Sequence, residues 1–135
     1  MTLSMQDALI HLMVVTAAAD RTLTGNETDR IAGLVGRLPV FDGYDTGRIG
    51  PQAEACIANM DKTGDIEVLL GEIVAAIPSR LHDTAYALAV EIAAVDLNLE
   101  QEELRWLEML RDHFEVERLV TAAIERAAAA RLRRP

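Results

Sequence analysis

At 135 residues the chain is long enough to enclose one core, and a single domain over 1–135 is expected. Its 22 acids outnumber its 13 bases, a net charge of −9 that argues against a nucleic-acid groove, because phosphate binding needs a basic face. Half of the residues are hydrophobic but only 4% are aromatic, so the core must be built from Ala, Leu, Ile and Val, small side chains that favour closely packed helices.

The lone cysteine, Cys56, can make no internal disulfide, and no Cys/His spacing suggests zinc. The first residues do not read as a signal peptide, since they lack a basic leader and Gln6, Asp7 and His11 interrupt the apolar run. The longest apolar stretch, 9–19, holds a histidine and is too short to span a bilayer. A cytoplasmic protein with no direct membrane insertion is the expectation.

The spacing predicts a first helix over 3–20, with Leu9, Leu12, Met13 and Thr16 on its inward face. His11 follows Asp7 by one turn, where an i,i+4 pair fits, and an ordinary surface or half-buried histidine is expected there. Thr24-x-x-Glu27 is a capping box that opens a second helix over about 25–37, with Ile31, Leu34, Val35 and Leu38 inward; Pro39 ends it. The stretch 41–51, FDGYDTGRIGP, reads as a loop with two possible helix starts, Asp45 and Pro51.

A third helix covers at least 51–60 and carries Cys56, expected as a buried structural thiol. The segment 61–67, DKTGDIE, is not a calcium hand, because its glycine stands fourth rather than sixth; Asp65 reads instead as the N-cap of a helix over 66–77. That helix carries Val68, Leu69, Ile73, Val74 and Ile77 as its apolar residues. Helix five, 80–96, places Leu81, Leu88, Ile92 and Val95 inward. Helix six, about 100–113, buries Leu104, Leu107, Leu110 and Phe114, with Trp106 beside that stripe. Helix seven, 116–132, presents Leu119, Val120, Ala123, Ile124 and Ala127, and its closing Arg131, Arg133 and Arg134 suit a helix C-terminus, with a basic tail that grips an anionic lipid or protein as the lesser reading.

Residues 93–110 repeat the wording of 17–34 at an offset of 76 positions. Asp20 falls on Asp96, Leu23 on Leu99, Glu27 on Glu103, Ile31 on Leu107 and Leu34 on Leu110; upstream, Asp7 falls on Asp83, Leu12 on Leu88 and Val14 on Val90. Each copy has an alanine-rich helix that ends at an aspartate, a turn with one leucine, and a glutamate that opens the next helix. The expected fold is an all-α compact bundle of about seven helices with an internal pseudo-repeat of two helical hairpins, about 7–36 and 83–112, related by an approximate two-fold. Leu23 and Leu99 are expected to be buried at the two turns.

These residues resemble the TerB-like tellurite-resistance family of bacterial proteins, in particular its short stand-alone members. The matching positions are Ala19, Asp20, Leu23, Glu27 and Ile31, then Asp96, Leu99, Glu102, Glu103 and Leu107. The loop FDGYDTGR, the Cys56 helix and the stretch AIPSRLHDTAYALAVEIAA also look like that family, so the resemblance covers roughly the whole chain. One departure is plain: the glycine that follows each aspartate in the family is Arg21 and Leu97 here. The resemblance implies a TerB-like fold, a non-enzymatic part in bacterial stress response, and divalent metal at the acids.

No HExxH, P-loop, GxGxxG, GxSxG, CxxC or ExxH spacing occurs, and His11, His82 and His113 are scattered, so no enzyme is expected. The acids at the hairpin mouths remain. Asp20 and Glu27 in one copy, and Asp96, Glu102 and Glu103 in the other, form oxygen-only sets that suit Ca²⁺ or Mg²⁺, with a Kd on the order of 10⁻⁴ M or weaker. Glu27 is equally accounted for by its capping box, and Asp20 and Asp96 by hydrogen bonds within their own turns. Two further readings are a purely protein-binding helical scaffold, which partners other stress-response components or itself, and a metal-dependent enzyme.

Overall fold

Two helices are buried on nearly every side, and the other elements are arranged around them. The computed structural model describes residues 3–18, 23–94 and 101–135, apart from the side chains of 101–103. Helix α1, Met5–Ala17, has no solvent-facing polar stripe, and every residue from Asp7 to Thr16 is buried. A helix with no polar face has to lie inside the protein. Helix α5, His82–Ala93, packs against it and buries Ala85, Tyr86, Leu88, Ala89, Val90, Ile92 and Ala93.

Helices α2 (Gly25–Arg37), α3 (Ile49–Thr63) and α4 (Ile66–Ala75) pack around α1, while α6 (Gln101–His113) and α7 (Arg118–Arg131) pack on α5. With three short 3-10 turns between them, these seven helices make an all-α bundle in which no strand occurs among the described residues. No helix among those residues is long and apolar enough to cross a membrane.

Local chemistry accounts for most of the boundaries. Ser4 caps α1 by accepting from the Asp7 N–H at 3.0 Å, and Asp65 caps α4 by accepting from the Glu67 N–H at 3.0 Å. Between them, Gly64 closes α3 at φ 64°, a left-handed conformation that costs glycine little and other residues about 1 kcal/mol or more. Of the two helix starts read in 41–51, the one at Asp45 is used and the one at Pro51 is not. Asp45 opens a 3-10 turn, Thr46–Arg48, that runs straight into α3, and Pro51 becomes the third residue of that helix. α5 likewise begins at His82 after a 3-10 turn over Ser79–Leu81, later than the expected residue 80.

The core contains the expected Leu9, Leu12, Met13, Ile31, Leu34, Val35, Leu69, Ile73, Leu88, Leu107, Leu110 and Phe114. Leu23 is half-buried against it; Leu99, Asp20 and Asp96 lie outside the described residues. Among the apolar residues of α4, Val68 is 49% exposed, and the buried stripe runs through Leu69, Leu70 and Ile73. Three assignments are corrected. On α6, Leu104 is 48% exposed, one position off the Leu107–Leu110 stripe. On α7, Leu119 is 81% exposed, and Val120, Ala123 and Ala127 are exposed with it, since Thr121 and Ala128 are the residues that face inward. Finally, His11 is buried and does not pair with Asp7.

Candidate functional site

The acidic turns were the sequence's candidate, and Glu27 is the one of their five acids whose side chain is described. It is engaged as a helix cap: the Thr24 N–H donates to Glu27 Oε1 at 2.9 Å, and the Glu27 N–H donates to Thr24 Oγ1 at 3.2 Å. Glu102 and Glu103 stand in the first turn of α6, with side chains outside the description, as are Asp20 and Asp96 altogether. Among the described residues no group of three or more His, Cys, Asp or Glu is placed to hold a metal ion.

The buried polar groups serve as ties between helices. Asp7 Oδ1 accepts from the Tyr44 hydroxyl at 2.6 Å and Asp7 Oδ2 from Arg48 Nη2 at 2.6 Å, which fastens the loop before α3 to the start of α1. Burial by itself pushes the Asp7 carboxyl up, but the hydrogen bonds from Tyr44, Arg48 and Ser4 outweigh it and hold the group below its ordinary pKa. Burial and the neighbouring carboxylate push the Tyr44 phenol up to about 12. His11 Nε2 meets Gln52 Oε1 at 2.7 Å, and burial pushes the Cys56 thiol up to about 12, which makes it an inert packing group.

His82 is a second tie. Its Nε2 donates to the Ile77 carbonyl at 3.0 Å and its Nδ1 accepts from the Glu115 N–H at 3.0 Å, so both ring nitrogens are used. Trp106 Nε1 donates to Thr16 Oγ1 at 2.8 Å and so seats α6 against α1. None of these groups brings a nucleophile together with a free base.

The feature that remains is a groove of about 470 Å³ lined by residues of α2, α5 and α7. α5 lends it Thr84, Ala87, Leu88 and Glu91, and α7 lends it Ile124, Ala127, Ala128 and Arg131, each set spaced i, i+3, i+4, i+7 along one helix face. Leu34, Arg37 and Leu38 close it from α2. Its floor is apolar because Leu34, Leu88 and Ala128 belong to the core, and it is open because Ala87 and Ala127 are too small to fill the space. Two polar ties hold α7 on α5: Arg131 pairs with Glu91, and Tyr86 Oη donates to Glu125 Oε2 at 3.0 Å while accepting from Arg111 Nη1 at 3.1 Å.

Beside the groove lies a second cavity of about 290 Å³, which shares Leu34, Arg37 and Glu91 with it and adds Arg30, Leu132 and Arg134. Four arginines from α2 and from the end of α7 therefore line the two cavities. Arg37 Nε caps the Gly33 carbonyl at 3.1 Å and Arg131 is paired with Glu91. Arg30, Arg37 and Arg134 have no carboxylate partner among the described residues. The sequence presents Arg131 and Arg134 first as a helix terminus and second as a basic tail for an anionic lipid or protein, not as part of a groove. The groove draws on three segments far apart in the chain, and no local periodicity brings Arg30 next to Arg134. No protein-family model, curated protein or solved structure matches the chain.

Proposed function

We propose that the chain is a non-enzymatic binding module of the TerB-like kind, serving a bacterial stress response, and that the groove between α2, α5 and α7 is its binding site. The observation that carries this reading is the groove itself. A concave, largely apolar site of several hundred Å³ with a few charged groups at its edge is the usual form of a ligand pocket. The TerB-like and stress-response part rests on the repeated acidic wording of the two hairpins. A protein partner has a separate place to dock, the outward ridge of α7 at Leu119, Val120 and Ala123, which the bundle leaves uncovered.

The test uses Nile red, an uncharged dye that fluoresces in apolar surroundings. Folded wild-type protein is expected to bind and brighten it, and Ala127→Trp, which places an indole in the groove from an exposed position, is expected to abolish the signal while the thermal melt is retained. Equal dye binding by both proteins removes the groove as the site.

A further inference from the structure

The arginines at the end of the groove set a local positive charge against the acidic balance of the chain. Of 13 basic residues in a chain of net charge −9, four line the two adjoining cavities, and three of those four, Arg30, Arg37 and Arg134, have no carboxylate partner among the described residues. Guanidinium groups are suited to carboxylates, which they can grip through two parallel hydrogen bonds. The apolar part runs along α7 from Ile124 to Arg131, about 10 Å at the rise of an α-helix, and leads directly to that cluster.

Resting on the binding-module reading, we propose that the groove takes a long-chain carboxylate. The hydrocarbon lies over Leu88, Ile124 and Ala128, and the head group reaches Arg37, Arg30 and Arg134. The size of the site favours an amphiphile over a protein segment. Eleven residues line the groove, whereas a standard protein interface uses roughly 20–30 on each side. The Glu91 carboxylate marks the limit of the anion subsite: it is held by Arg131, so the head group is directed to the other three arginines.

Whole-molecule charge makes the prediction sharp, because a net −9 favours cations over anions everywhere except at a local basic site. Calorimetric titrations would compare dodecanoate with dodecyltrimethylammonium, both below their micelle concentrations. Dodecanoate is expected to bind at least about tenfold more tightly. Arg37→Ala with Arg134→Ala is expected to weaken dodecanoate about tenfold or more, and Arg80→Ala, an exposed arginine outside the groove, to leave it unchanged, with thermal melts confirming that each variant is folded. Binding of the cation equal to or tighter than the anion overturns the proposal, as does dodecanoate binding that survives loss of both arginines. If Nile red binds and dodecanoate does not, the carboxylate proposal falls and the groove stands; if neither binds, both fall.

Discussion

Asp7 and Asp83 stand at the starts of α1 and α5, matched by the 76-residue offset, and they have opposite surroundings. Asp7 is 6% exposed and bound by Tyr44 and Arg48, whereas Asp83 is exposed and accepts only from its neighbour Thr84. Position 10 of α1 is Ile and its counterpart on α5 is Tyr86; both are fully buried, but the tyrosine hydroxyl reaches Glu125 and Arg111. Gln6 ties α1 to the carbonyls of Val40 and Asp42, and its counterpart His82 ties α5 to Ile77 and Glu115.

Apolar positions behave differently: Leu12 and Leu88, Val14 and Val90, Ile31 and Leu107, and Leu34 and Leu110 are all buried. Shared wording therefore carries burial from one stretch to the other. It does not carry polar partners, which come from segments outside the repeat such as the loop before α3 and helix α7.

Substitutions at matched positions put that difference to the test. Tyr86→Ala empties a fully buried site and is expected to cost about 3–5 kcal/mol in a denaturant melt, while Tyr86→Phe, which removes only the hydroxyl tie, should cost about 1 kcal/mol. If Tyr86→Phe were as damaging as Tyr86→Ala, the polar tie rather than the packing would fix α7 on α5.

Asp7→Asn should cost about 2 kcal/mol near neutral pH, because a charge-assisted pair of hydrogen bonds is weakened at a buried site. Asp83→Asn should change stability by less than about 0.5 kcal/mol. The pH dependence has a definite sign. The folded carboxyl of Asp7 lies below its unfolded value, so its contribution is complete above about pH 4 and is lost as pH falls through the folded pKa. Melts of wild type and Asp7→Asn should accordingly converge in acid. A gap that stays constant down to pH 2 would mean that the carboxylate's charge contributes nothing.

The smallest effects concern the cap of α2. Thr24→Ala should cost about 1 kcal/mol and Glu27→Gln only a few tenths, since an amide oxygen still accepts from the Thr24 N–H. If Glu27→Gln proved the more damaging, its carboxylate would have a task beyond the cap, and metal at the first acidic turn would gain its first direct support.

Seven helices, the caps of α2 and α4 and most of the core were legible in the sequence, because each is set by residues within a few positions of one another. The Thr24–Glu27 box, the Asp65 cap and the stripe Ile31–Leu34–Val35 depend on nothing distant. Helical period alone was less reliable on the outer helices. Leu104, Leu119 and Val120 are spaced as a core face would be, yet α6 and α7 each have the bundle on one side only, so a shift of one position along the helix turns a leucine to solvent.

Local chemistry thus determined that the chain forms helices and, to within a few residues, where each lies. Tertiary structure alone decided what the polar groups meet: Asp7 is joined to residues 37 and 41 positions away, and His82 to one 33 positions away. It also decided that alanines from α5 and α7 leave a groove and that arginines from both ends of the chain converge beside it. Burial follows from a side chain's own solvation and its helical period, which sequence displays directly. Partnership and empty space depend on how separate helices are laid against one another, and that is fixed only when the whole core packs.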